Sequence, residues 1–381
     1  MTEWLTREQA LERLNVRPQT LYAYVSRGRI GMKPDDTDPR RSQYRADDIA
    51  ALATRRARGR SPQAIAESAI AWGEPAIATS ISTVLHGRLV YRGEDAVEFS
   101  AAATLEEAAA LLWACEAPIS FASLTTSAVR QHGAPTAFAR LSALAAEGWP
   151  SLGRRPAMLQ QDGAAATSVL ATALGASPGS EPVHERLARG WSVDAPGADL
   201  LRKALVLLAD HELNASTFAA RVAASTGAPI AACLLAGLAT LTGPRHGGAG
   251  AAAIALVEDA ERLGADEAVG RWLALDRPLP GFGHQLYPEG DPRAEGLFRD
   301  FEIDDGLWRL RDAVLAATGL HPNIDFALAA MTRSLRLPAD APFRLFALGR
   351  SVGWTAHAIE QVMSNRPIRP RARYDGPAGR D

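Results

Sequence analysis

Beyond residue 60, apolar positions three and four apart recur along most of the chain. That spacing predicts amphipathic helices at 104–115, 122–131, 136–147, 161–174, 198–209, 214–225, 248–263, 307–318, 325–334 and 341–364. The stretch His86-Gly87-Arg88-Leu89-Val90-Tyr91-Arg92-Gly93 breaks the pattern and alternates as a short hairpin does. Strands and helices do not alternate, and no Gly-x-Gly-x-x-Gly follows a strand, which argues against a nucleotide fold. Self-similarity at a period of 20–50 residues is also missing. The pattern predicts an all-α body of enzyme size.

The first 60 residues read as helix, turn, helix, then hairpin. Thr6-Arg7-Glu8-Gln9 fits a capping box, with Leu5 before it and Leu11 and Leu14 on one face. Pro18 suits the start of a second helix over 17–27, in which Leu21 and Val25 face inward while Gln19, Tyr22 and Ser26 fall on the other side. Gly28 stops it. From Ile30 to Arg45 the chain carries Lys33, Arg40, Arg41 and Arg45 around Asp-Pro turn signals, like a basic wing, and 46–54 reads as a third helix.

Charge separates the same two parts. Residues 1–60 hold 13 basic against 8 acidic residues, and the remainder 28 against 35. The Arg-rich run 55–62, ended by Pro62, looks like the join. The first segment resembles the helix-turn-helix of the MerR and excisionase families. In that resemblance Gln19, Tyr22, Ser26 and Arg27 face the major groove, while Arg40 and Arg41 meet phosphates. The bland alternative is a small helical appendage that docks on the body or on a partner.

The whole chain has 381 residues, 47% hydrophobic and 22% charged, with a formal net charge of −2, as expected of a soluble globular protein of two or three domains. Two cysteines, Cys115 and Cys233, rule out a disulfide scaffold and a Cys-rich zinc module and favour a reducing compartment. No uncharged apolar run approaches the roughly 20 residues a bilayer span needs. The start, MTEWLTREQALERL, lacks the apolar core of a signal peptide, so a cytoplasmic location is expected. Lysine occurs only at Lys33 and Lys203, so a lone arginine carries little information here.

Three of the eight histidines sit in unusual company: His211 in Ala-Asp-His-Glu-Leu-Asn-Ala-Ser-Thr, His246 in Gly-Pro-Arg-His-Gly-Gly-Ala, and His284 in Pro-Gly-Phe-Gly-His. Glycines beside a histidine let backbone approach a ligand closely. His246 also precedes an alanine-rich helix, whose positive end disfavours imidazolium. Each alone reads better as a structural histidine at a helix end. No His-x-x-x-His spacing joins them, so a metal site is not expected.

Together with other strings, these carry a second resemblance. Ala78-Thr79-Ser80-Ile81-Ser82, Gly87 to Gly93, 209–217, 243–249, Gly281-Phe282-Gly283-His284 with Asp291-Pro292-Arg293-Ala294, Pro322-Asn323-Ile324-Asp325-Phe326, Gly349 to His357, and Arg369-Pro370-Arg371 with Tyr374 stand in the order of the citrate synthase family. The stretch 119–200 contributes little. The resemblance implies a helical homodimer of two-domain subunits that close over acetyl-CoA and oxaloacetate without a cofactor or metal. With the helix-turn-helix segment 1–60, which the standard enzyme lacks, the expected divisions are a large domain 61–220, a small domain 221–325, and the rest of the large domain 326–381.

By similarity Asp325 is the base, His246 a neutral donor to the thioester oxygen, and His284 the group that polarises the ketone. His211, Arg293, Arg350 and, from the neighbouring subunit, Arg369 hold oxaloacetate, bidentate guanidinium being suited to planar carboxylates. The bland readings are a helix cap for Asp325, a salt-bridge partner for Arg350 and an Arg-rich tail for Arg369.

Two departures stand out. After Gly-Phe-Gly-His, bacterial relatives carry Arg and then Lys where this chain has Gln285-Leu286-Tyr287-Pro288-Glu289, and the Asn usual after His-Gly-Gly-Ala is Gly250. Weaker binding of CoA phosphates is expected, with Arg245 a replacement contact. Two other functions fit the same residues: 2-methylcitrate synthesis from propionyl-CoA, and a DNA-binding regulator with a ligand-sensing body.

Overall fold

The structure is a computed structural model. It describes residues 4–14, 16, 20–21, 24–25, 30–35, 42–50, 52, 77–123, 131–371 and 376. The chain divides into two compact units, residues 79–369 and residues 1–78 with 370–381.

In the smaller unit, β1 (Trp4–Leu5), β2 (Met32–Pro34) and β3 (Ser42–Arg45) form an antiparallel sheet in the order β1-β3-β2. Helix α1 (Arg7–Leu14) starts at the expected capping box, where Thr6 N–H donates to Gln9 Oε1 at 2.9 Å and Gln9 N–H to Thr6 Oγ1 at 3.3 Å. Leu5, Ala10, Leu14, Leu21, Ile30, Tyr44 and Ile49 share one small core. Residues 20–21, 24–25 and 46–50 are helical. The six expected nucleic-acid contacts, Gln19, Tyr22, Ser26, Arg27, Arg40 and Arg41, and the join at 55–62 lie outside the described residues.

The larger unit opens with the hairpin expected at 86–93, set a few residues earlier. Its strands β4 (Ser82–Leu85), β5 (Arg88–Tyr91) and β6 (Glu94–Asp95) are linked by two-residue turns at His86-Gly87 and Arg92-Gly93. All four turn residues have positive φ (51°, 76°, 45° and 98°), the geometry whose twist matches paired strands. With the sheet of the smaller unit, these strands make the chain mostly rather than wholly α.

The remaining elements are helices: α2 (Ala96–Phe99), α3 (Leu105–Leu112), α4 (Ala134–Glu147), α5 (Pro156–Leu174), α6 (Val183–Trp191), α7 (Ala195–Leu208), α8 (Ala215–Ser225), α9 (Ile230–Leu241), α10 (Gly248–Leu263), α11 (Ala265–Ala274), α12 (Pro292–Phe298), α13 (Asp305–Thr318), α14 (Ile324–Ser334) and α15 (Ala341–Ser364). Helices α2, α6, α9, α11 and α12 were not expected. Helix α9, IAACLLAGLATL, is apolar on nearly every face, so it has no 3.6-residue contrast to read. The helix expected at 122–131 is not formed where it is described: Ser123 instead pairs with Gly179 in an isolated bridge, and 124–130 lie outside the described residues.

Helix α15 is the axis of the larger core. It packs against α3, α5, α7, α8 and α9, and is buried from Ala347 to Ile359. A second core gathers α10, α11, α13 and one face of α14 around Val257, Leu310 and Phe326. Helix α14 belongs to both, because Ala327, Leu328 and Met331 face the first core while Phe326, Ala329 and Ala330 face the second. The links between these helices carry the residues of interest.

Candidate active site

His211 lies in the short link between α7 and α8. Asn214 caps α8 by accepting the Thr217 N–H at 3.1 Å, and Glu212 takes a left-handed φ of 52° to make the turn. His246 closes the α9–α10 link. His284 sits after α11, where Gly281 and Gly283 adopt φ of 85° and 74°. A side chain at Gly281 would meet the Phe326 Cβ at 2.9 Å, so glycine lets this loop lie directly on α14. Gly283 N–H donates to His321 O at 2.8 Å and Asn323 N–H to Gly281 O at 2.9 Å, which fastens the loop to the residues leading into Asp325.

The three imidazoles and two arginines meet in one place. The rings of His211 and His284 are 5.2 Å apart, and both touch Tyr287, whose hydroxyl is 2.9 Å from His211 Nε2. The Arg293 guanidinium lies 5.6 Å over the Tyr287 ring. Arg350 sits 4.7 Å over Phe346, whose ring is 5.9 Å from that of His246. Gly250, at the start of α10, is close enough to α14 that a Cβ there would be 4.0 Å from Asp325 Oδ1. Five of the expected residues, His211, His246, His284, Arg293 and Arg350, thus share a neighbourhood with Asp325. Arg369 is exposed in the tail beyond α15 and is not part of this cluster.

The environment shifts each titratable group. Burial pushes the His246 imidazole down to about 4, with Arg350 adding to the effect. Burial and then Arg293 take His284 to about 4, against the opposing pull of Asp291. His211 is driven well below the usual histidine range by burial, Arg293 and Arg350. All three rings are therefore neutral at pH 7. Burial raises Asp325 to about 6, even though Arg293 and Arg350 pull the other way.

Hydrogen bonds assign two tautomers or constrain them. His284 Nδ1 accepts the Leu286 N–H at 3.1 Å, so its neutral ring carries the proton on Nε2 and can donate from there. His246 Nε2 is 2.8 Å from Ser216 Oγ, which also takes the Trp354 Nε1–H at 3.1 Å. The Ser216 proton has two acceptors in reach, His246 Nε2 and Asn214 Oδ1 at 2.8 Å. Given to His246, it leaves the ring proton on Nδ1, as a donor there requires.

The arginines differ in what they still offer. Arg293 is bound along one edge by Asp291, at 3.0 and 2.7 Å, and Asp291 also accepts the Ile324 N–H at 3.1 Å. Burial works to raise Asp291, but the charge and hydrogen bonds of Arg293 hold it below the usual carboxylate range. Arg350 is 1% exposed and donates from Nε to Leu208 O at 3.0 Å, while its buried Nη2 has no partner among the described residues. Burial lowers the guanidinium to about 10, against Asp210 and Tyr91. A buried donor left open on a charged group, beside neutral imidazoles, is suited to an anionic ligand.

Sequence reading missed Tyr287, Asp291 as the Arg293 partner, Phe346 and Trp354. Tyr287 lies three residues from His284 inside the loop that departs from the family, so attention to charge passed over it. Among the described residues no group of three or more His, Cys, Asp or Glu is arranged to hold a metal ion. No helix among them is long and apolar enough to cross a membrane.

These features define a helical protein with a buried cluster of three histidines, two arginines and an aspartate. Comparison with known proteins names its family: the model of the citrate synthase C-terminal domain matches residues 163–371, and the chain belongs to the citrate synthase family. Citrate synthase 2 of Bacillus subtilis (strain 168) is 40% identical over 190 residues, covering 47% of this chain and 51% of that protein. The 2-methylcitrate synthase 2 of Corynebacterium glutamicum is 35% identical over 196 residues, covering 47% and 50%. The chain thus spans about half the length of the curated relatives it matches. A solved ternary complex of the Thermoplasma acidophilum citrate synthase with carboxymethyl coenzyme A and oxaloacetate covers 80% of this chain and 95% of its own, at 26% identity and a TM-score of 0.65.

Proposed function

We propose that the chain is a citrate synthase-type acyltransferase that condenses acetyl-CoA with oxaloacetate and hydrolyses the thioester, giving citrate and free CoA. The observation that carries this reading is the open, buried Nη2 of Arg350 among three neutral histidines and an Asp325 raised to about 6. Binding of a thioether coenzyme A analogue and oxaloacetate by the Thermoplasma protein supports it.

Asp325 takes a methyl proton from acetyl-CoA. Its raised pKa makes it a stronger base than an ordinary carboxylate, yet it stays largely ionised above pH 7. His246 donates to the thioester oxygen, where negative charge develops; a neutral donor stabilises the enolate by a hydrogen bond and keeps its own proton. His284 donates from Nε2 to the ketone of oxaloacetate; the enolate carbon attacks the carbonyl carbon, and the alkoxide oxygen formed takes the Nε2 proton. Arg350, Arg293 and His211 hold the diacid, and Arg369 of the neighbouring subunit completes the clamp in a homodimer. Water then cleaves the thioester bond, releasing the CoA thiol. No cofactor or metal enters.

Propionyl-CoA is the second acyl donor to test, because 2-methylcitrate synthases are among the matched relatives. One methylene is discriminated by only about 1–3 kcal/mol in an apolar pocket. For the remaining divisions we keep 221–325 as the small domain and 61–220 with 326–381 as the large one. The segment 1–60 is proposed as a MerR-like DNA-reading head, supported by its capped α1, its β2–β3 hairpin and its separate core. The two cysteines are free thiols, which suits the reducing cytoplasm.

The test is release of CoA thiol from acetyl-CoA and oxaloacetate, run beside propionyl-CoA, with Asp325→Ala as control. Equal rates for wild type and Asp325→Ala would remove the assigned base. Retardation of DNA in a salt-dependent manner, without thiol release, would favour the regulator.

A further inference from the structure

The turn that carries His211 is held by a buried chain of side chains that the chemistry above does not use. Arg221, 1% exposed on α8, donates from Nε to His357 Nδ1 at 2.8 Å. A guanidinium only donates, so Nδ1 must accept, and the fully buried His357 ring is neutral with its proton on Nε2. That Nε2–H donates to Asp210 Oδ2 at 3.1 Å. The Ser82 hydroxyl gives its proton to the same oxygen at 2.5 Å and accepts the Glu212 N–H at 2.9 Å. At the other end, Arg221 donates from Nη1 to Gln361 Oε1 at 3.2 Å and pairs through Nη2 with Glu360. Glu360 is anchored in turn by the Ser80 N–H at 2.8 Å.

The Asp210 end of this chain lies next to the ligand groups. Asp210 precedes His211, and Leu208, two residues before Asp210, supplies the carbonyl that fixes Arg350 Nε. Gly353 makes the close approach possible: a Cβ there would stand 2.3 Å from Asp210 Oδ1 and 2.4 Å from Ala209 O. Asp210 Oδ1 and Arg350 Nη2 are both buried and both lack a hydrogen-bond partner among the described residues, so the two charges do not close on one another. The Asp210 charge nevertheless supports that of Arg350.

We propose that Arg221 and His357 are positioning residues for the keto diacid: they hold the Asp210 carboxylate beside Arg350 and His211, offsetting the guanidinium with a charge it does not bond and so keeping Nη2 open for the carboxylate of the ligand. This rests on the reading of the site as an oxaloacetate site. None of these residues touches the ligand. Their contribution is to the affinity for one substrate rather than to the bond-making step.

The experiment is calorimetric titration of the full-length protein with oxaloacetate alone, for wild type, His357→Leu and His357→Gln, beside steady-state kinetics and the ¹⁵N spectrum of the wild-type histidines. Loss of a bond to a buried carboxylate predicts that His357→Leu weakens oxaloacetate binding and raises its KM by roughly tenfold or more. Its kcat falls less, and the KM for acetyl-CoA stays near that of wild type. The Gln carboxamide, able to accept from Arg221 and donate to Asp210, restores most of the affinity. The spectrum shows His357 protonated on Nε2 and bare on Nδ1. A folded His357→Leu with unchanged oxaloacetate affinity overturns the proposal. So does a proton on His357 Nδ1, which needs no variant to detect. Failure of wild type to bind oxaloacetate would instead remove the functional reading, while the spectrum still reports on the relay.

Discussion

Asp325→Asn is expected to make the protein more stable as it destroys activity. Burial raises this carboxyl from an ordinary 3.8 to about 6. The folded state therefore binds a proton between those values that the unfolded state does not. The sign follows: ionised Asp325 opposes folding above pH 6, the cost shrinks as pH falls through 6, and it is gone below 3.8. The full cost at pH 8 is about 3 kcal/mol, and roughly half of it remains at pH 5. Asparagine has the same shape and no charge, and the Asp325 backbone N–H that bonds Asn323 Oδ1 at 2.9 Å is untouched. Urea unfolding of wild type and Asp325→Asn at pH 8 and pH 5 measures the difference. The variant should gain up to about 3 kcal/mol at pH 8 and clearly less at pH 5, while thiol release drops by about 10²–10⁴. Equal stabilities at both pH values would show that Asp325 is an ordinary solvated carboxylate, and the argument for a tuned base would fail.

Other perturbations separate the parts of the site. Ser216→Ala removes the hydroxyl that can orient His246; kcat should fall about tenfold or more with little change in the KM for oxaloacetate, and a loss in KM alone would assign Ser216 to binding. Gly250→Ala should cost about 1–3 kcal/mol in urea unfolding, because its Cβ would stand 2.8 Å from that of Pro342. Arg245→Ala should raise the KM for acetyl-CoA if this exposed residue replaces the missing loop cations; a KM that is low and unchanged would show that CoA phosphates are held elsewhere.

The strings around His211, His246, His284 and Asp325 made the site legible because each combines a chemical group with the glycine, proline or cap residue that sets its backbone. The Gly281–Gly283 loop is the clearest case: two left-handed glycines and a following histidine are all present in four letters. Helix α9 was not legible, since a helix buried on all sides has no polar stripe. Helix α12 hid behind the Asp-Pro-Arg motif it starts from, its seven residues too few for a period. Arg293 and its partner Asp291 are two residues apart in sequence yet the pairing was unread, because spacing does not say whether a guanidinium turns to a nearby carboxylate or to a ligand. The same limit applies to Gly250: the sequence marks a departure from Asn, and only packing against Pro342 explains why a side chain does not fit.

The most direct test of the whole account is a crystal structure of the protein soaked with oxaloacetate. The account predicts a four-carbon keto diacid with one carboxylate on Arg350 Nη2, His211 beside it, and the ketone oxygen within hydrogen-bond distance of His284 Nε2. An empty cluster, or a diacid bound elsewhere with Arg350 Nη2 still unpaired, would contradict it.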